Sequence, residues 1–163
     1  MNNKIRIFAA FFAGNMAFFF IYAFILWALT ALKVSPYGRF MATFFKGRTS
    51  DEAKAFIAAN QGLFDRMLPE ASRFSNLFIT PGVGLVMGVI TGLIISAKNI
   101  KAGIIWPVVL TLPVAILFWT RSAGEPNRVF YFILLLALSG VGGLIGTLIS
   151  SKYFQEKKDA AVE

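Results

Sequence analysis

The side chains that most often carry out chemistry in proteins are distributed here in a way that excludes several kinds of site. The 163 residues contain no cysteine and no histidine. Without cysteine the chain cannot form a disulfide, an iron–sulfur cluster or a thiolate metal site. Without histidine it lacks the commonest transition-metal ligand and the usual axial ligand of haem b. We therefore expect neither a cofactor nor a metal site.

Carboxylates, the other common catalytic groups, all lie outside the long apolar runs of the sequence. The eight acidic residues are Asp51, Glu52, Asp65, Glu70, Glu125, Glu156, Asp159 and Glu163. Adjacent residues point to different sides of a helix, so Asp51 and Glu52 make a poor acid–base pair. Ion-coupled carriers usually hold an ionisable group within the membrane. The sequence therefore predicts no catalytic residue and disfavours a conventional ion-coupled transporter, although carbonyls freed by Pro107 and Pro113 could still bind an ion.

Asn15 is the one strongly polar side chain of the first apolar run. Its amide carries two hydrogen-bond donors and an acceptor oxygen. The favoured interpretation is a hydrogen bond to another helix, worth about 1 kcal/mol within a membrane. A contact to a bound substrate is the alternative.

The overall composition indicates an integral membrane protein. Hydrophobic residues make up 57% of the chain and the mean hydropathy is +0.69. A soluble domain of this length could not bury so much apolar surface. The net charge of +8 comes from basic residues at the ends of apolar runs, where they contact lipid head groups. We therefore expect membrane lipids, and not nucleic acid, as the partner of these charges.

Four apolar runs are long enough to cross a bilayer as helices, which takes about 20 residues. They cover residues 7–32, 77–97, 102–120 and 129–151, with a water-facing segment at 33–76 and a polar tail at 152–163. The first run lacks the short apolar core and the cleavage site of a signal peptide. The sequence thus predicts one all-α domain, a bundle of four transmembrane helices with amphipathic interfacial helices in the first loop.

Small residues recur every four positions in the second and fourth runs. They are Gly84, Gly88, Gly92 and Ser96 in the second run, and Gly142, Gly146 and Ser150 in the fourth. This spacing places them on one face of a helix, where the missing side chains let another helix approach closely. We predict that both faces, of the glycine-zipper type, pack against helices. Lining of an oligomeric pore is the alternative.

The two glycine-rich runs also resemble each other. Shifting the second run by 54 residues places Gly88 on Gly142 and Gly92 on Gly146. Apolar segments use few residue types and match easily by chance, so a duplication stays one of two explanations. Parallel repeats of this kind do occur in membrane transporters.

Two helices are predicted in segment 33–76. Ser35 to Gly38 has the composition of a turn, and Phe40, Met41, Phe44 and Phe45 then form an apolar face typical of a helix in the membrane interface. Gly47 should end it. Thr49 and Glu52 have the spacing of a capping box, and Pro69 should end or kink the helix that follows. The apolar side of that second helix carries Phe56, Ile57, Phe64 and Met67.

These last four residues are candidates for docking a partner, because they join an apolar stripe to charged neighbours in a water-accessible segment. The competing interpretation is that the stripe covers the protein's own helices or lies on lipid. If the stripe docks a partner, polar substitutions in it should weaken recovery of the complex. If it covers the protein's own helices or lies on lipid, recovery of the complex should survive them.

The function expected from these features is that of a non-enzymatic subunit that packs into, stabilises or anchors a larger membrane complex. Its partners would be other integral membrane subunits or further copies of itself. The alternative is a small oligomeric channel or transporter built on the glycine-rich helices. Since basic residues are densest in short segments near the helix ends, we expect a bacterial cytoplasmic membrane with both termini in the cytoplasm.

Overall fold

The computed structural model describes residues 3–95, 100–122 and 124–159, and these residues form helices without any strand. The helices are α1 (Asn3–Leu32), α2 (Pro36–Phe44), α3 (Ser50–Ala59), α4 (Gln61–Phe74), α5 (Thr80–Ile95), α6 (Ile100–Arg121) and α7 (Arg128–Asp159). A π-helical turn at Ser75–Ile79 joins α4 to α5. The all-α prediction is confirmed.

Four helical stretches are long and apolar enough to span a membrane, as expected for an integral membrane protein. They are Lys4–Leu32, Gln61–Ile95, Lys101–Arg121 and Arg128–Lys152. The second stretch begins far upstream of the predicted start at residue 77, because the amphipathic α4 runs into α5 without a break. Pro69, which was expected to end or kink the preceding helix, lies inside α4 without ending it.

The chain divides into two compact units, one formed by Met1–Phe20 with Pro81–Glu163 and the other by Ile21–Thr80. In the first unit, Ala10 of α1, Ile95 of α5 and Leu110 of α6 form a buried apolar cluster. Phe18 is fully buried, and its ring lies 5.8 Å from that of Phe118. The first part of α1 is therefore packed against the interior of this unit by small and aromatic side chains.

In the second unit, the segment predicted as a turn is instead the beginning of α2. Ser35 caps the helix by accepting a hydrogen bond from the Gly38 amide at 3.0 Å, and Pro36 occupies the first turn, where its missing N–H costs nothing. A Cβ built on Gly38 would collide with the carbonyl oxygen of Leu29. Glycine at this position thus lets α2 lie directly against the end of α1.

The capping box at the start of α3 is confirmed. The Thr49 amide donates to Glu52 Oε2 at 2.7 Å, and the Glu52 amide donates to Thr49 Oγ1 at 3.4 Å. The single helix predicted from this box is wrong, because α3 ends at Ala59 and α4 begins at Gln61. Asn60 separates them, and its side chain donates to the Phe56 carbonyl at 2.9 Å. Such a bond from side chain to backbone competes with continuation of a helix.

Candidate functional site

The glycines predicted to pack helices lie where α5 and α7 of the first unit meet. A Cβ built on any of four of them would collide with a backbone oxygen of the other helix. The pairs are Gly88 with Ser139, Gly92 with Gly143, Gly142 with Leu85, and Gly146 with Val89. Backbones in such contact attract through dispersion and weak Cα–H···O bonds. Both faces are therefore occupied within the chain.

The remaining members of the two stripes lie at the edges of this contact or beyond it. A Cβ on Gly84 would collide with Leu135 Cδ1, the end of a flexible side chain. Ser150 is buried. Ser96 lies outside the described residues.

A second close contact, between α6 and α7, was not predicted. Gly143 of α7 lies against Pro107 and the carbonyl oxygen of Gly103, and Gly103 lies against the side chain of Thr147. Proline at 107 has no N–H to offer the Gly103 carbonyl, four residues earlier in α6. The spacing of Gly143 and Thr147 could have indicated this second face, since it repeats the four-residue interval of the neighbouring stripe.

Two contacts made by neutral polar side chains join helices inside the first unit. Asn15 of α1 donates to the carbonyls of Phe11 at 2.8 Å and of Leu110 at 3.5 Å, the latter on α6. Thr111, the next residue of α6, lies 3.6 Å from Met87 Sδ of α5. Asn15 therefore reaches another helix, as its favoured interpretation requires, although the second of its two hydrogen bonds is long.

Two buried threonine hydroxyls of this unit have no hydrogen-bond partner among the described residues, those of Thr91 and Thr147. Each is seated on a glycine of a neighbouring helix. A Cβ built on Gly14 of α1 would lie 2.7 Å from Thr91 Oγ1, and one on Gly103 of α6 would collide with Thr147 Oγ1. A weak bond from the glycine Cα–H to the oxygen accounts for this placement. These groups can hold helices together, and the contact leaves no room for a ligand between them.

The π-helical turn of the second unit places polar groups near the end of α4. The Thr80 amide bonds to the Ser75 carbonyl across the widened turn, and Ser75 Oγ lies 3.3 Å from the hydroxyl of Tyr22. Pro81 follows and has no N–H, so the turn before it cannot be closed in the usual α-helical way. The position of such a turn cannot be derived from sequence periodicity.

Burial, and secondarily the proximity of Tyr22, raise the pKa of Tyr37 to about 12.

The stripe predicted as a partner-docking surface is covered by the second unit itself. Phe56, Ile57, Phe64 and Met67 are half-buried and pack against a cluster formed by Phe40, Phe44 and Ala71. The guanidinium of Arg48 lies 3.9 Å from the centre of the Phe56 ring, a cation–π contact on the rim of the cluster. The apolar faces of α2, α3 and α4 are thus turned towards one another.

The side chains of α1 that face outward differ in kind from those of α6 and α7. The outward residues of α1 with at least half of the side chain exposed are mostly aromatic: Phe8, Phe12, Phe19, Phe20, Phe24 and Trp27. The large hydrophobic residues of α6 and α7 that are exposed to the same extent are aliphatic except for Phe130: Ile105, Ile116, Leu117, Val129, Phe130, Ile133 and Ile149. The sequence shows that α1 is rich in phenylalanine, but its spacing does not indicate which of these residues face outward.

No group of three or more His, Cys, Asp or Glu side chains that could hold a metal ion occurs among the described residues. No protein-family model matches the chain, and neither the curated proteins nor the solved structures contain a significant match. The functional interpretation therefore rests on the geometry of this chain.

Proposed function

We propose that this protein is a non-catalytic integral membrane subunit that packs into and stabilises a larger membrane complex through α1. The supporting observation is the outer face of α1, which is mostly aromatic, whereas the outward residues of α6 and α7 are aliphatic except for Phe130. Lipid chains require only that a face be apolar. Aromatic residues, in contrast, are enriched where proteins contact each other and supply much of the binding energy there.

Two other sets of apolar faces are already in use, and of the outward faces that remain, that of α1 carries the most aromatic residues. The glycine faces of α5 and α7 are occupied by each other. The amphipathic faces of α2, α3 and α4 form a common cluster. Phe8, Phe12 and Phe19 lie on one side of α1, since residues four and seven apart in a helix fall on the same face.

Replacement of Phe12 and Phe19 by leucine tests this proposal. The two leucines keep the face apolar, so the isolated protein should fold and insert as before. Recovery of the complex after gentle detergent extraction, measured by native mass spectrometry, should fall about tenfold or more, because two aromatic anchors are each worth about 2 kcal/mol. The matched control changes Ile116 and Leu117 to alanine and should leave recovery unchanged.

Equal recovery of the complex from both variants would count against docking through α1. Native mass spectrometry also reports the identity and copy number of any partner, including further copies of this chain. A single species, the monomer, from wild-type membranes would contradict the subunit proposal altogether.

The second candidate is a small channel or transporter, favoured by two polar contacts between helices of the first unit, from Asn15 to the Leu110 carbonyl and from Thr111 to Met87. Polar side chains inside a membrane-spanning protein often mark a substrate path. Asn15→Leu distinguishes the two functions. If the amide contacts a solute, flux through proteoliposomes is lost while complex recovery is kept. If it only fastens α1, thermal stability falls without any change in flux.

For localisation we propose a bacterial cytoplasmic membrane with both termini in the cytoplasm. The density of Lys and Arg in short segments at the predicted helix ends supports this orientation. The chain has no cysteine, so single introduced cysteines report position without background. In intact cells a membrane-impermeant maleimide should label a cysteine at Asn60 and spare one at Asn2. The reverse labelling would invert the orientation.

A further inference from the structure

The contacts between α5 and α7 occur in reciprocal pairs. A Cβ on Gly88 would collide with the carbonyl oxygen of Ser139 and lie 2.9 Å from the amide nitrogen of Gly143. A Cβ on Gly142 would collide with the carbonyl oxygen of Leu85 and lie 3.0 Å from the amide nitrogen of Val89. The 54-residue shift relates Gly88 to Gly142, Leu85 to Ser139 and Val89 to Gly143. The second set of contacts is therefore the first with the two helices exchanged.

The same reciprocity holds one helical turn further along. A Cβ on Gly92 would collide with the carbonyl oxygen of Gly143 and lie 3.1 Å from its carbonyl carbon. A Cβ on Gly146 would collide with the carbonyl oxygen of Val89 and lie 3.0 Å from its carbonyl carbon. The distances in the two halves of the contact agree to about 0.1 Å, although only some of the side chains involved are identical.

This set of contacts defines a symmetric arrangement. Residue numbers increase in the same direction along both helices from one level of the contact to the next, so α5 and α7 are parallel. Exchange of the two helices reproduces the contacts of all four glycines with carbonyl oxygens, which is the property of a twofold axis running along the pair. Departures from symmetry lie where a third helix packs: Gly14 of α1 lies on Thr91 and Met87 of α5, whereas Gly103 of α6 lies on Thr147 of α7.

We infer that α5 and α7 form a symmetric parallel helix dimer within one chain, and that each face is complementary to a copy of itself. In a twofold contact the same surface serves both partners, so the surface that binds its equivalent also binds an identical copy. The partner that fits the face of α5 is therefore the α5 face of a second copy of this chain. The internal contact is the fused form of that pairing, as a duplicated helix would produce.

A double-substitution experiment on the full-length protein tests the twofold geometry. Because Gly88 and Gly142 face each other across the same axis, one outward shift of the helices relieves the clash of an alanine at either position. The fall in melting temperature of Gly88→Ala with Gly142→Ala should therefore be close to that of the worse single variant. Gly88→Ala with Gly103→Ala, which alters two separate contacts, should show the sum of its single effects. Additive losses in both pairs would overturn the symmetric arrangement.

Disulfide cross-linking of full-length chains tests self-complementarity. Leu85→Cys should give few linked dimers while α7 covers α5. Gly142→Leu with Gly146→Leu should push α7 away and raise the yield of linked dimers several-fold. Further addition of Gly88→Leu should return the yield to the level of a control cysteine at Ile116, an outward residue of α6.

An unchanged yield after displacement of α7, or a raised yield that survives Gly88→Leu, would overturn the inference that α5 fits a copy of itself. Circular dichroism and gel filtration establish whether the leucine variants remain helical and monodisperse. Should they aggregate, Gly142→Ala with Gly146→Ala replaces the leucine pair and Gly88→Ala replaces Gly88→Leu in the same cross-linking experiment, since a single methyl group at each position perturbs the helices far less.

Discussion

The contact between α5 and α7 makes a quantitative prediction for two glycines in the same helix. Gly82 has no neighbouring atom within 4 Å of a built Cβ, whereas a Cβ on Gly88 meets the backbone of α7. Alanine at either position gains about 1 kcal/mol of intrinsic helix propensity. At Gly88 the added methyl group also forces two backbones apart, which costs about 1–3 kcal/mol for overpacking and weakens Cα–H···O contacts worth about 0.5–1 kcal/mol each.

The expected difference between the two variants is therefore about 3 kcal/mol, since a backbone oxygen cannot turn aside as a side chain can. For a chain of this length it corresponds to a gap in melting temperature of about 6–12 °C. Gly84→Ala should fall between the two, because its obstacle is the flexible end of Leu135. Thermal unfolding in mild detergent, followed by circular dichroism, measures all three. Equal melting temperatures for Gly82→Ala and Gly88→Ala would show that α5 and α7 are not in backbone contact.

Three further predictions concern other parts of the molecule. The amide and hydroxyl of Thr49 lower the pKa of Glu52 below its usual 4.5, so its stabilisation of α3 is present at neutral pH and is lost as the pH falls through that lowered pKa. The difference in amide exchange between wild type and Glu52→Gln should disappear over the same fall in pH. The raised pKa of Tyr37 means that its contribution to stability is complete below pH 10 and is lost as the pH rises through about 12, so an ultraviolet titration should contain a late component that is absent from Tyr37→Phe. Gly14→Ala should lower the melting temperature by a few degrees. Adding Thr91→Ser should not restore the melting temperature, since the serine hydroxyl occupies the same place as that of threonine. Full recovery would mean that the threonine methyl group, and not its hydroxyl, makes the close contact.

The parts of the fold that were predictable are those in which a local signal decides the outcome. Long apolar runs predicted four helices able to span a membrane, and the spacing of Thr49 and Glu52 predicted the cap of α3. Element ends were harder, because weak local preferences are settled by contacts from elsewhere. Ser35 and Pro36 suit a turn and a helix start equally well, and the fit of Gly38 against Leu29 selects the helix. Pro69 lies inside α4 because residues on both sides of it pack against the cluster that α4 shares with α2.

The sequence indicated the apolar faces of α3 and α4 but left open whether a partner, lipid or the protein's own helices cover them. The spacing of apolar residues in α3 and α4 indicates that one side of each helix is shielded from water. It does not indicate what covers that side. Phe64 contacts both Phe40 and Phe44, with ring centroids 5.5 and 5.2 Å apart. A stripe that looked available to a partner is thus part of a small aromatic core. A serine at Phe56 or Phe64 would now be expected to destabilise the second unit as well as any docking.

The polar groups inside the first unit bear on the choice between the two proposed functions. A solute path needs polar groups that face a space, and here they face other helices. The hydroxyl of Thr91 rests on Gly14 so closely that a methyl group would not fit between them, and Asn15, the next residue of α1, reaches the carbonyl of Leu110. Passage of a solute between these residues would require α1 to separate from α5. Two neutral polar contacts at adjacent positions instead fix the rotation of α1 about its own axis, and that rotation directs Phe8, Phe12 and Phe19 outward. We therefore propose that these residues orient α1 as the docking helix of the proposed subunit.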